Sequence, residues 1–373
     1  MALSILSSRR LPALRSFAGA LALGFVTALS AQDQVKLHNG TVEEGRVESE
    51  NYDALVFKAK KGKEEKSVRL SWTDVAEVSY GNAKDYYQAV GSLTSGDVAT
   101  ALTRLQALAA NASLRKELKP SVTLNLGLAQ LRSGKPAEAA PTLLDTIKAN
   151  ANSRHLLAAA RALTECYIAI GDAAAGTTAI DAASAAANEA SVDPGSAAAF
   201  DYFRGMLLEA RKDFSNAKIK FSLVASARSA PAGYPALGRL GVARCVAAAG
   251  QVEDAKKEYR ALIDQGGSNE LLAGAWNGMA DATLADGIKN RNLERLLDAS
   301  FMFMRGVVEF APGPGESSGE YERALAGAGE AFKQMAELES DAALKKQHAA
   351  RGKQRLDQLR KEFPHSSHLA AAK

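Results

Sequence analysis

Two rhythms of apolar and polar positions divide the chain. Between residues 34 and 80 the apolar residues come every second place, as at Val42 and Val47 around Gly45, and at Leu55 and Phe57. That period predicts five short strands, at Val35–Leu37, Thr41–Glu50, Tyr52–Lys60, Lys66–Ser71 and Val75–Tyr80. Asn39-Gly40 marks one tight turn and Lys61-Gly62-Lys63 a second. So many strands in so short a stretch must curl to bury a face, which predicts a small open barrel. From Ala83 onward the rhythm becomes helical and repeats. Gly134, Gly171, Lys212 and Gly250 align as turn positions, at spacings of 37, 41 and 38 residues. Five places after each turn stands a small residue: Ala139, Gly176, Ala217 and Ala255. Four places further stands a larger apolar one: Leu143, Ile180, Phe221 and Tyr259. Small then large at i, i+4 lets two helices cross closely and lock on one bulky side chain.

The best segments are Leu126-Gly127…Gly134-Lys135-Pro136-Ala137-Glu138-Ala139 and Arg204-Gly205…Asp213-Phe214-Ser215-Asn216-Ala217…Phe221. They resemble tetratricopeptide repeats, with further units at Tyr86–Asn111, at Trp276…Ala280 and at Ala299…Phe303…Pro312. The resemblance covers roughly 83–373 and implies a mostly all-α solenoid of antiparallel helix pairs. It departs from the family in its longer spacings and in Gly176, which stands where alanine is expected. Ala311–Gly319, rich in Pro and Gly, is expected to interrupt the array as an exposed loop. The earlier pattern Asn39-Gly40-Thr41…Gly45-Arg46-Val47…Leu70-Ser71-Trp72…Val75-Ala76-Glu77-Val78 is similar to SH3-like or Sm-like small barrels.

Composition supports the helical reading. Alanine fills 74 of 373 positions, and aromatic residues make up only 6%. Residues 1–31 read as a secretory leader. Arg9, Arg10 and Arg15 precede or enter an apolar stretch, Phe17–Leu29, which is followed by small residues up to Ala31. This predicts an exported protein of the periplasm or cell envelope, soluble once the leader is cut. The leader's arginines account for most of the net charge of +4, so electrostatics marks no polyanion partner. Residues 35–80 carry 8 basic and 9 acidic side chains, which excludes a basic nucleic-acid face there. Cys166 and Cys245 occupy equivalent positions two repeats apart and are expected to stay unbridged.

Chemical motifs are few. Gly315-Glu316-Ser317-Ser318-Gly319 has the nucleophile-elbow spelling without its strand-to-helix setting. Ser215-Asn216-Ala217-Lys218 falls on a repeat packing position. His365 and His368 lack the further ligands a closed metal site needs. Phe301-Met302-Phe303-Met304 reads as repeat core, and the basic run Lys345–Lys361 as a solvated helix face. No enzyme, cofactor or metal is therefore expected, and the partner is another protein. The tetratricopeptide resemblance places the contact surface on the first helix of each pair, where Arg132, Arg161, Glu165, Tyr202, Glu209, Arg244, Asn277 and Asp281 would line an exposed concave stripe. On this expectation Tyr202 is an apolar anchor and the arginines are carboxylate clamps. The alternative expectation makes the β-module the reader of a peptide or cell-wall polymer, with the helices as spacer.

Overall fold

The computed structural model describes residues 32–61, 64–312 and 318–371. The leader, the Gly62-Lys63 turn and the middle of the 311–319 loop lie outside the described residues. Five strands open the described chain: β1 (Asp33–Leu37), β2 (Val42–Glu50), β3 (Ala54–Lys61), β4 (Glu64–Ser71) and β5 (Val75–Ser79). They form one antiparallel sheet in the order β4-β3-β2-β1-β5. Val35, Val47, Leu55 and Phe57 bury its inner face, as the alternation requires. β4 and β5 are its edges, and no pairing joins them among the described residues.

Fourteen helices follow, in successive antiparallel pairs: α1 (Lys84–Thr94) with α2 (Val98–Ala110), α3 (Lys119–Arg132) with α4 (Pro136–Ala149), and α5 (Leu156–Ile170) with α6 (Ala173–Glu189). Next come α7 (Ser196–Ala210) with α8 (Phe214–Ser226), and α9 (Tyr234–Ala248) with α10 (Val252–Gln265). The last pairs are α11 (Asn269–Lys289) with α12 (Leu293–Glu309), and α13 (Gly319–Leu338) with α14 (Ala342–Glu362), before a short α15 (His368–Ala371). Helix α13 begins inside the segment expected to be loop. No helix of the described residues is long and apolar enough to cross a membrane.

The turn inside each of the first six pairs has one residue at positive φ: Gly96, Gly134, Gly171, Lys212, Gly250 and Arg291. In four of them an Asp or Asn follows and caps the second helix, as Asp97 does at Thr100 N–H and Asp213 at Asn216 N–H. The small-then-large pattern becomes knobs seated on glycines. The Phe221 ring on α8 lies so close to Gly205 of α7 and Gly241 of α9 that an added Cβ would approach it to 2.6 and 2.4 Å. Tyr259 on α10 fills the same role against Gly278 of α11, at 2.4 Å. One ring thus locks three helices, and the repeats share a continuous core from Leu124 to Met279.

The β-module is tied to this array by charge. Asp33 is buried, and its carboxylate accepts from Val47 N–H at 2.7 Å, Gly81 N–H at 2.8 Å and both terminal nitrogens of Arg115, at 2.7 and 2.8 Å. Burial opposes its charge, but Arg115 and the two backbone donors outweigh burial and hold the pKa below 3.8. Glu50 pairs with Arg154 at 3.1 Å, and that guanidinium stacks over Trp72, 4.8 Å from its centroid.

Candidate protein-binding site

The eight stripe residues stand on first helices of their pairs: Arg132 on α3, Arg161 and Glu165 on α5, Tyr202 and Glu209 on α7, Arg244 on α9, Asn277 and Asp281 on α11. The expectation of an open surface needs correction. Tyr202 is 2% exposed and Asn277 fully buried. The Tyr202 ring packs edge-on against Phe203 and Tyr234, and tilted on Phe221. An aromatic ring spent on the core in this way is not a free anchor.

Two ion clusters occupy the rest of the stripe. In the first, Arg161 donates from Nε to Glu165 at 3.1 Å, and from its two terminal nitrogens to both oxygens of Glu270, at 2.7 and 2.5 Å. Burial works against the Arg161 charge, yet Glu270 and Glu165 overcome it and raise its pKa above the ordinary arginine value. In the second, Arg244 grips Glu209 through Nε at 2.8 Å and Nη2 at 3.0 Å, and reaches Glu320 of α13 at 3.2 Å. Asn277 donates to the Glu320 carboxylate at 2.9 Å and to its backbone carbonyl at 2.7 Å. Arg323 bonds Asp281 and approaches Glu320 at 3.5 Å. Burial would raise the Glu320 pKa, but Arg323 and Arg244 hold it down. Tyr202 lies within electrostatic reach of both clusters, and burial pushes its hydroxyl up to about 12.

Arg132 stands apart, donating to the Leu93 carbonyl of α1 at 3.3 Å. Ion pairs alone link α5 to α11 and α9 to α13. The carboxylates that Arg161 and Arg244 hold belong to this chain. Sequence reasoning missed Glu270, Glu320 and Arg323. The two acids lie in the first turns of α11 and α13, where an acidic residue reads as an ordinary partner of the helix dipole.

A second constellation resembles a catalytic triad in composition alone. Ser121 Oγ lies 2.8 Å from His155 Nε2, and Glu50 Oε2 lies 3.6 Å from the same nitrogen. A triad needs the hydroxyl and the acid on opposite ring nitrogens, and Ser121 is buried. These residues join the β-module to α3 and α5. Among the described residues no group of three or more His, Cys, Asp or Glu is placed to hold a metal ion.

Solvent meets apolar chemistry elsewhere. On α12, Phe301 is 64% and Val308 73% exposed, seven residues apart on one helix face, with Met304 and Arg305 between them. Beside them a cavity of about 320 Å³ opens between α11 and α12, lined by Trp276, Phe301, Met302, Met304, Arg305 and Glu309. The Arg305 guanidinium stacks 4.6 Å from the Trp276 centroid and donates to Glu309 at 3.0 Å, which props the Trp276 face of the cavity. The Phe301-Met302-Phe303-Met304 run therefore divides: Phe303 is core, as expected, while Phe301 is solvent-facing.

No family model and no curated protein matches the chain. Solved structures similar to it are tetratricopeptide-repeat proteins. One, from Parabacteroides merdae ATCC 43184, is 15% identical over 72% of this chain and 98% of its own, with a TM-score of 0.40. A second, of kinesin light chain TPR-like repeats from Podosopora anserina, is 18% identical over 51% of this chain and 98% of its own, with a TM-score of 0.37. The TPR domain of P58(IPK) is 14% identical over 74% of this chain and 79% of its own, with a TM-score of 0.23.

Proposed function

We propose that this protein is an exported, non-catalytic helical-repeat scaffold that binds another protein. The observation that carries the reading is the uncovered apolar face of α12 with its Trp276 cavity. Soluble chains rarely leave a large apolar side chain, a second one seven residues on and an adjoining aromatic-lined cavity open to water without a partner. Trp, Phe, Met and Arg are also the residue types that concentrate binding energy at protein interfaces. The concave stripe, by contrast, already holds this chain's own acids. The leader pattern of residues 1–31 supports export. The alternative, in which the β-module alone is the reader, has less support, because its ion pairs to Arg115 and Arg154 make it part of the array's end. A photo-crosslinking amino acid at Phe301, expressed in the native host, tests the proposal. A discrete adduct is expected from position 301 and none from Ile219, an exposed apolar control on α8. An adduct from Ile219 alone would refute it.

A further inference from the structure

The second helix pair and the last meet at a seam made of side chains. After α14 the chain turns at Phe363, where Ser366 N–H donates to the Phe363 carbonyl at 3.0 Å. Phe363 stacks edge-on against Tyr321 of α13, their centroids 5.9 Å apart, and Leu369 joins the same small apolar cluster. Beyond this root, the His365 ring lies against Gly134, the turn residue between α3 and α4, so closely that a Cβ there would come within 2.5 Å of it. Two residues before Gly134, Arg132 feels the charge of Glu322 on α13. Next in the tail, His368 is largely buried, facing Arg323, Glu320 and Glu322 of α13 and Asp281 of α11. A repeat near the start of the array is thus held to its last by one short segment.

We propose that residues 363–369 form a detachable clasp, closing the seam between the α3–α4 turn and α13. Three features separate a clasp from a structural element. The segment follows α14, the last long helix among the described residues, and runs into the four-residue α15. Its root, Phe363 on Tyr321, belongs to the α13–α14 pair, while its tip, His365, belongs to the opposite side of the seam. The tip contact is one ring on one glycine. Such a contact opens at far lower free energy than the repeats it joins.

The test is amide hydrogen exchange on the full chain, comparing wild type with His365→Ala/His368→Ala and with a chain ending at Glu362. In both variants the amides of residues 131–135 and 320–323 are expected to exchange about tenfold faster, with the far-UV circular dichroism unchanged. Unchanged exchange at 131–135 in both variants would overturn the proposal. Loss of helical signal on truncation would overturn it too, since the segment would then support the fold rather than clasp it.

Discussion

Arg161 on α5 and Glu270 on α11 share two parallel hydrogen bonds across 109 residues of sequence, at 2.7 and 2.5 Å. The pair spans the concave side of the array, so it reports how tightly the helix pairs wind. Removing Arg161 takes this partner from Glu270, while removing Glu270 leaves Arg161 with Glu165; breaking such a partly buried pair costs up to about 3 kcal/mol. Arg161→Ala and Glu270→Ala should each lower the unfolding free energy by that order. The double variant should cost clearly less than the sum of the two. Denaturant melts of the four chains measure this coupling, and simple additivity would show that the pair is not formed.

Phe221 seated on Gly205 and Gly241 gives a second expectation. Gly241→Ala places a methyl 2.4 Å from the ring, and overpacking of this kind costs about 1–3 kcal/mol. Phe221→Leu in the same chain should recover part of the loss, because the smaller side chain vacates the space. Thermal melts of the single and double variants decide it. A Gly241→Ala chain as stable as wild type would contradict the packing.

Asp33 makes the joint between β-module and helices sensitive to acid. Its folded pKa lies below the ordinary 3.8, so the stabilisation is fully present above about pH 3.8 and is lost as pH falls through the folded value. Asp33→Asn should lower the melting temperature at pH 7 and flatten its fall below pH 4. Parallel melts across pH 2–7 read both effects.

His368 works the other way. Burial comes first, then Arg323, in pressing its pKa below 6.5, against the pull of Glu322, Glu320 and Asp281. Docking of the tail is therefore at full strength above about pH 6.5 and weakens as pH falls below it, because the released imidazole takes up the proton more readily. Protection of the amides of residues 131–135, taken against the intrinsic exchange rate at each pH, should fall between pH 7 and pH 5 in wild type and stay constant in His368→Gln.

Cys166 and Cys245 are both buried and free, with their thiols pushed up by burial to about 12 and about 11. Each should resist alkylation by iodoacetamide at pH 7.5 in the native chain and react once it is unfolded. Peptide mapping after timed labelling checks both positions.

Local rules were legible in the sequence because they act within one or two turns. The period-two stretch located all five strands, and the helix-pair turns fell at Gly134, Gly171, Lys212 and Gly250 as aligned. Ala217 and Phe221 went into the core as the small-then-large spacing requires. Winding is different, since it accumulates from the crossing angle of every pair. No spacing within one repeat says that α5 reaches α11, so Glu270 and Glu320 passed as helix-end acids. Tyr202 was misjudged for the same reason. Its face of α7 is filled by rings and bordered by ion pairs. At Phe301 the core pattern holds for its neighbour Phe303, which packs with Leu284 of α11 and Phe332 of α13, and fails for Phe301 itself, which lies outside that cluster.

The most direct measurement of the central claim is the dissociation constant for the protein captured from position 301, compared between wild type, Phe301→Asp/Val308→Asp and Arg161→Ala. The account predicts at least about tenfold weaker binding when the α12 face is charged, since two apolar anchors leave the interface, and unchanged binding for Arg161→Ala. Binding that survives at the α12 variant and fails at Arg161→Ala, with both chains folded, would place the contact on the concave stripe instead.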